Sequence, residues 1–168
     1  RDLVKKIRAE KDKEKRNLLK QKLPAICFSG KFAKRNDSSL QKHSGLICLD
    51  FDGYKNDKEL LQEKERLSKN KYIYAVFISP SGNGLKALVK IPPIPENHKS
   101  YFLSLQKYLD SEYFDKTSKN ISRVCYESYD PLIHINAQSS LWDRIEEQEY
   151  TEVNKYVDIP TIPVTDEN

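Results

Sequence analysis

Two apolar runs joined by a short turn place a strand hairpin in the middle of this 168-residue chain. Residues 74–78 and 85–89 consist mainly of aromatic, β-branched and aliphatic side chains, and Pro80, Gly82 and Gly84 lie between them. Runs of this length bounded by glycine and proline are typical of β-strands, and so short a turn makes them antiparallel neighbours. Any fold of this chain is therefore expected to contain an antiparallel pair of strands.

Another apolar run, residues 46–49, ends in two aspartates, Asp50 and Asp52. Alternate residues of a strand point to the same side, so the two carboxylates are expected to share one face. Carboxylates that close repel each other unless a cation lies between them, and oxygen ligands favour Mg²⁺ or Mn²⁺. The pattern predicts a metal site, although aspartate and glycine after a strand are also common turn residues.

The turn of the hairpin has the composition of a phosphate-binding loop. Gly82 and Gly84 flank Asn83 and let backbone N–H groups approach an anion, Ser81 supplies a hydroxyl, and Lys86 a positive charge. An ordinary glycine hairpin would look similar. Together with the two aspartates, however, the turn suggests phosphoryl or nucleotidyl transfer.

Hydrophobic periodicity predicts helices over residues 2–22, 57–69 and 97–109, and further strands over residues 25–28 and 121–126. The resulting order, α-β-β-α-β-β-α-β, predicts an α+β fold built on a sheet. Helices are expected to cover one face of that sheet and to leave the other face for chemistry.

Charge is unevenly distributed although the net charge is only +4. Residues 1–22 hold ten basic and four acidic side chains, whereas residues 143–168 hold two and eight. The basic N-terminal helix could contact a nucleic-acid backbone or simply be a solvated face. Residues 31–42 read as a basic loop that could hold phosphates or a template, and residues 143–168 as an acidic tail or a linker to a further domain.

Cysteine usage and hydropathy exclude several protein classes. Cys27, Cys48 and Cys125 are scattered, which predicts reduced thiols in a cytoplasmic protein and neither a disulfide framework nor a zinc motif. No apolar run approaches 18 residues, so no membrane span is expected. The chain opens on Arg1 and has no methionine, so we expect it to be a piece of a longer protein.

Several blocks of the sequence, taken together, resemble the VirE N-terminal-domain family, a branch of the archaeo-eukaryotic primase (primase-polymerase) superfamily. The blocks that carry the resemblance are residues 22–26, 29–32, 43–45, 49–52, 79–86 and 122–131. The resemblance implies an RRM-like, mainly antiparallel sheet flanked by helices, forming a catalytic domain over residues 1–142. It implies a DNA primase or polymerase that joins nucleoside triphosphates on a DNA template, accompanied by further domains or by replication or defence proteins of a phage or mobile element.

The resemblance also implies roles for individual acids. Asp50 and Asp52 match the superfamily's first motif, which holds two divalent ions together with a third aspartate. Asp115 and Asp130 are both candidates for that third position. In the superfamily the third aspartate is followed by a strand that carries an arginine. Asp115 is favoured because it lies eight residues before Arg123.

The nucleotide-binding residues implied by the resemblance are Ser81, Gly82, Asn83, Gly84, Lys86 and Arg123. Lys86 stands where other branches of the superfamily have histidine, which puts the histidine's role in question but keeps a positive charge for the triphosphate. Arg123 would contact the triphosphate or the template phosphate.

Two other functions compete with this one. Residues 49–53 and 78–79 resemble motifs of haloacid-dehalogenase-type phosphatases, but Tyr54 follows the glycine where that family has threonine or valine, and a later acidic pair is absent. A catalytically inactive module of the primase fold that only binds nucleotide or nucleic acid is the second alternative, and the intact acids count against it.

Overall fold

The computed structural model describes residues 1–145 of the chain. Four α-helices lie within this range: α1 (Asp2–Ala9), α2 (Lys13–Lys20), α3 (Asp57–Ser68) and α4 (His98–Leu109). Eight strands accompany them: β1 (Ala25–Ile26), β2 (Gly30–Phe32), β3 (Leu40–His43), β4 (Leu46–Phe51), β5 (Ile73–Ile78), β6 (Leu85–Lys90), β7 (Cys125–Tyr126) and β8 (His134–Ile135).

The central sheet has the strand order β4-β6-β5-β8, and every neighbouring pair in it is antiparallel. Two smaller antiparallel pairs, β1–β7 and β2–β3, lie outside it. The predicted α+β fold with an antiparallel hairpin at its centre is therefore confirmed.

Alternation along β4 separates the two faces of the central sheet. Ile47, Leu49 and Phe51 pack in the main core with side chains of α3 and α4, such as Leu60 and Phe102. The intervening residues point the other way because successive strand residues alternate between faces. As predicted, one face of the sheet is covered by helices, here α3 and α4.

On that second face lies a smaller apolar cluster of Cys48, Ala75, Leu88 and Cys125. It packs beneath the β1–β7 pair, since Cys125 belongs to β7. Asp50 has the same orientation as Cys48, two residues earlier in the strand, and therefore lies on this face as well.

The prediction of one helix over residues 2–22 is wrong, because the segment forms α1 and α2 with a break between them. Glu10 has an extended backbone, and its Oε1 accepts a hydrogen bond from Asp12 N at 2.9 Å. Asp12 then caps α2, since its Oδ1 accepts a hydrogen bond from Lys15 N at 2.8 Å.

The predicted basic loop over residues 31–42 is instead mostly a hairpin, in which Lys31 of β2 faces Lys42 of β3. Gly30 makes the pairing possible, because a Cβ there would overlap Lys42 O and lie 2.7 Å from Leu40 Cδ1.

Several predicted boundaries also shift. The strand expected over residues 121–126 is reduced to β7, and the one over residues 25–28 to β1. The helix over residues 57–69 is confirmed as α3 within a residue. The helix over residues 97–109 is confirmed as α4 and is preceded by a 3₁₀ turn over Pro95–Asn97.

The end of the described chain is anchored by Trp142, which is buried against the rings of Tyr72 and Tyr108. The acidic tail predicted for residues 143–168 lies almost entirely outside the described residues. Up to residue 145, none of the helices has the length and apolar character needed to cross a bilayer.

Candidate functional site

The centre of the site is the carboxylate of Asp50, which is 1% exposed. Its Oδ1 accepts a hydrogen bond from Lys86 Nζ at 2.5 Å, and its Oδ2 accepts bonds from Arg123 Nε at 2.9 Å and from Arg123 Nη2. Asp50 and Lys86 meet because they are directly opposite in the β4–β6 register. Two cations thus compensate a buried anion, as burial of charge requires.

Asp115 lies directly beside this centre. Its backbone N–H donates to Asp50 O at 2.9 Å, and its Oδ2 accepts a hydrogen bond from Arg123 Nη2 at 3.3 Å. An isolated bridge between Phe51 and Phe114 holds the two segments together. Arg123 therefore spans two of the three predicted carboxylates.

Asp130, the other candidate for the third carboxylate, is used elsewhere. Its Oδ2 accepts hydrogen bonds from Lys64 Nζ at 2.6 Å and Ile78 N at 2.9 Å, and its Oδ1 accepts one from Leu132 N at 3.0 Å. The buried pair with Lys64 ties α3 to the loop before β8. Of the two candidates, Asp115 is the one that lies at the Asp50 cluster.

Asp52 follows β4 and presents an exposed carboxylate, while its backbone N–H donates to Tyr113 O at 2.8 Å. Partial burial, followed by the negative charge of Asp50, raises the pKa of the Asp52 carboxyl, against the opposing effect of Lys86. Gly84 packs directly on this side chain, because a Cβ on Gly84 would overlap Asp52 Oδ1. The predicted glycine is thus required by close approach to the acid.

The turn between β5 and β6 is closed by its own backbone. Ser79 N donates to Gly84 O at 2.8 Å, and Gly82 N donates to Ser79 O at 2.9 Å, so the Gly82 N–H is used within the turn. Gly82 has φ +83°, which suits glycine. Of the predicted turn residues, Ser81 and Asn83 line the neighbouring cleft.

That cleft has a volume of about 570 Å³ and brings most of the predicted site together. The predicted residues in its wall are Asp50, Asp52, Ser81, Asn83, Lys86 and Arg123. Four further basic side chains line it: Lys13, Arg16 and Lys20 from α2, and Arg35 from the β2–β3 hairpin. The wall therefore holds six basic and two acidic side chains, which favours an anionic ligand.

Lys20 and Lys86 in the cleft wall differ in how their surroundings affect their charged form. Burial, then the charges of Arg16 and Lys86, lower the pKa of the Lys20 amine. Burial also disfavours charge on Lys86, but the Asp50 carboxylate outweighs it and raises the pKa of that amine. A polyanion in the cleft would relieve the repulsion around Lys20.

Sequence reasoning identified the basic N-terminal segment but not which of its residues belong to the site. Lys13, Arg16, Asn17 and Lys20 line the cleft at intervals of three and four residues. That spacing places them on one face of α2, a signal present in the sequence. Arg35 belongs to the basic segment 31–42 that was predicted to hold phosphates or a template, but its place in the cleft wall depends on the hairpin.

The carboxylates have the donor chemistry that Mg²⁺ or Mn²⁺ prefers, and Asp52 is open to the cleft beside Asp50. Both Asp50 oxygens are engaged by Lys86 and Arg123, and Asp115 Oδ1 accepts hydrogen bonds from Thr117 N and Oγ1. Among the residues described, no three Asp, Glu, His or Cys side chains form a group arranged to hold a metal. The pair Asp50 and Asp52 fits a divalent ion by chemistry, and Asp115 is joined to Asp50 through Arg123.

Comparison with known proteins identifies a family. Residues 18–134 match the family model described as BT4734-like, N-terminal domain, a range that contains β1 to β7 and every predicted site residue. No curated protein and no solved structure matches the chain. Because the matched range covers more than two thirds of the 168 residues, the chain belongs to the BT4734-like N-terminal domain family.

Proposed function

We propose that this domain is a template-directed nucleotidyltransferase, the catalytic domain of a primase-polymerase that makes or extends primers on DNA. The observation that carries the proposal is the single cleft lined by Asp50, Asp52, Lys86 and Arg123 together with the basic face of α2. Residues predicted from separate parts of the sequence meet there, and they are joined by the basic side chains of Lys13, Arg16, Lys20 and Arg35.

The proposed fold is the RRM-like core of the archaeo-eukaryotic primases. Its support is a four-stranded antiparallel sheet with α3 and α4 packed on one face and the acidic cluster on the other. The haloacid-dehalogenase-type alternative requires a parallel sheet, and the sheet that carries Asp50 is antiparallel.

The size and charge of the cleft suit a nucleoside triphosphate. About 570 Å³ lies within the usual range for sites that bind small molecules. Lys86 offers a compact positive charge and Arg123 a planar guanidinium, the two donor types that proteins use for phosphate groups. Ser81 and Asn83 add neutral hydrogen-bonding groups from the turn.

In this proposal the charged residues of the cleft have different roles. Asp50 holds Lys86 and Arg123 in place, so that both cations are oriented before an anion arrives. They would then stabilise the triphosphate and the negative charge that develops on the leaving pyrophosphate. Asp52, with Asp50, would hold Mg²⁺ or Mn²⁺, which when bound supplies Lewis-acid activation and charge neutralisation for nucleotidyl transfer.

One observation favours a second candidate, a catalytically inactive module that binds nucleotide or nucleic acid. Both Asp50 oxygens are already engaged by cations, and Asp115 is shared with Arg123 rather than free for an ion. Such a module would bind polyanions in the same cleft and would not join nucleotides.

Primer extension by the full chain separates the two candidates. Purified protein is incubated with a primed single-stranded DNA template, labelled nucleotides, and Mg²⁺ or Mn²⁺. We expect extension by the wild type, loss of extension by Asp52→Asn, and a raised nucleotide KM for Lys86→Ala, since a triphosphate contact is removed. The control is Lys58→Ala, an exposed change on α3 that should extend normally. Nucleotide binding without extension under either ion would establish the inactive module instead.

A further inference from the structure

A second groove, here called the hairpin groove, opens beside the cleft between the β1–β7 pair and the β2–β3 hairpin. It has a volume of about 460 Å³. Arg35, Val124 and Tyr126 line both this groove and the cleft, so the two spaces share a wall. A chain-like ligand bound in the cleft could therefore continue along the surface through the hairpin groove.

The hairpin beside this groove is strongly basic. Lys31 and Lys42 are both exposed and face each other directly across the β2–β3 pair. Like charges in that position destabilise a strand pair. Lys34 and Arg35, both exposed, follow in the connection between the strands and line the groove. Because successive strand residues alternate between faces, Lys31 lies on the opposite face from Gly30 and Phe32, so the basic side chains that line the groove are Lys34 and Arg35.

The one acidic residue in the hairpin, Asp37, is directed toward the site and not toward the basic surface. Its Oδ1 accepts hydrogen bonds from Ser122 N at 3.0 Å and Ser122 Oγ at 2.5 Å. Ser122 immediately precedes Arg123, so Asp37 fixes the hairpin against the segment that carries the guanidinium of the site. The basic surface therefore has a defined position relative to the cleft.

The floor and walls of the groove are apolar and aromatic. Phe32 and Tyr126 are half-buried there, and Ile26 lines the groove with 54% of its surface exposed. Rings of this kind stack with unpaired bases, whereas a duplex keeps its bases inside. Cationic and aromatic side chains in one groove are the combination that suits a single nucleic-acid strand and not an acidic peptide.

We propose that the hairpin groove binds a single strand of DNA as it enters the cleft. The phosphates would lie along Lys34 and Arg35, and bases would contact Phe32 and Tyr126. This inference rests on the proposed function, since the strand would be its template, but the binding surface is tested without catalysis.

The test is the affinity of the full chain for a fluorescein-labelled oligodeoxythymidine, measured by fluorescence anisotropy at physiological salt without metal or nucleotide. Lys34→Glu with Arg35→Glu changes two exposed side chains in the connection between the strands, so its effect on folding is small. We expect it to weaken binding by about tenfold or more, because two phosphate contacts become repulsive. Lys58→Glu with Lys71→Glu changes the net charge equally on exposed sites outside the groove and should change binding by less than about twofold.

A second variant tests the aromatic contribution separately from charge. Phe32→Ala should weaken binding of the oligodeoxythymidine by about fivefold or more and leave binding of a duplex of equal length unchanged. Thermal melting of each variant verifies that it is folded. Equal losses for the hairpin and control charge reversals, or an unchanged affinity for Phe32→Ala, would overturn the proposal.

The oligonucleotide-binding test of the groove and the primer-extension test of the proposed function can fail independently. If the hairpin variant loses the oligonucleotide but wild type never extends a primer, the groove stands and the polymerase proposal fails. If wild type extends primers and the hairpin variant binds and extends equally well, the polymerase proposal stands and the groove assignment is wrong.

Discussion

At the scale of single residues, Asp50 has a role that its sequence pattern did not indicate. The pattern predicted a metal ligand, and the structure surrounds the carboxylate with Lys86 and Arg123. Nothing in the sequence connects residues 50 and 86, because the ion pair depends on the β4–β6 register. Asp52 differs from its neighbour, since it is exposed to the cleft. Of the two predicted ligands, Asp50 therefore belongs to a buried ion-pair cluster, whereas Asp52 lies exposed in the cleft wall.

Substituting the two acids separately should reveal this difference in stability. Asp50→Asn leaves two cations partly uncompensated and is expected to lower the free energy of unfolding by about 3 kcal/mol. The pKa of Asp52 is raised in the folded state, so its charge opposes folding near neutral pH, and Asp52→Asn should keep or slightly increase stability. Urea unfolding measures both, and an equal loss in the two variants would contradict the distinction.

Two buried histidines predict a loss of stability in acid. Gly45 N donates to His43 Nδ1 at 3.0 Å, so the His43 proton is on Nε2, which lies 3.1 Å from His98 Nδ1 and donates to it. Burial, followed by the proximity of His43, lowers the pKa of His98 to about 4 from an ordinary value of 6.5. Because the folded state resists protonation, stability is complete above pH 6.5 and decreases as the pH falls from 6.5 through 4, by about 3 kcal/mol in total.

The pH dependence of urea unfolding tests this assignment. His98→Asn should remove most of the acid loss at some cost in stability at neutral pH, whereas the control His134→Asn should retain it. An unchanged acid profile in His98→Asn would show that other groups are responsible.

At the scale of elements, a helix or strand could be predicted where its apolar side chains recur at the period of that structure. β4, β5, β6, α3 and α4 have apolar side chains at the period of their structure, and the sequence predicts all five. The β2–β3 hairpin was missed because lysines face each other where apolar alternation would be expected, and β7 and β8 are only two residues long. The break between α1 and α2 contains neither glycine nor proline, so only the capping role of Asp12 marks it.

The turn between β5 and β6 packs closely against the end of β4 at Gly84. A Cβ at Gly84 would overlap the Asp52 carboxylate and lie 2.9 Å from Phe51 O, so Gly84→Ala must move the turn away from β4. We expect a loss of about 2 kcal/mol in unfolding free energy, as for other strained substitutions. The control is Asn83→Ala, an exposed neighbour in the same turn that should remain within about 0.5 kcal/mol of wild type. Equal thermal stability of Gly84→Ala and wild type would show that the turn is not packed as described.

At the scale of the whole molecule, the arrangement of charge links the N-terminal segment to the site. The helices of the main core lie on one face of the sheet, while α2, the hairpin and the turn before β6 surround the acidic cluster on the other. The sequence shows the excess of positive charge in residues 1–22 but not which part of the molecule these side chains face. The orientation of α2 toward the cleft depends on the break between α1 and α2. It also depends on Arg8, whose Nη2 donates to Ser79 O at 3.3 Å and to Tyr129 O at 2.8 Å.

We propose that the cleft joins nucleotides under the direction of a template, and the identity of the nucleotide that is incorporated tests this function. Primed templates that present only thymine or only cytosine are given to the full chain with each labelled nucleotide in turn and Mn²⁺. We expect incorporation of adenine nucleotides opposite thymine and of guanine nucleotides opposite cytosine, and no incorporation on either template by Asp52→Asn. Incorporation that ignores the template base, or none by the folded wild-type chain while it still binds nucleotide, would contradict it.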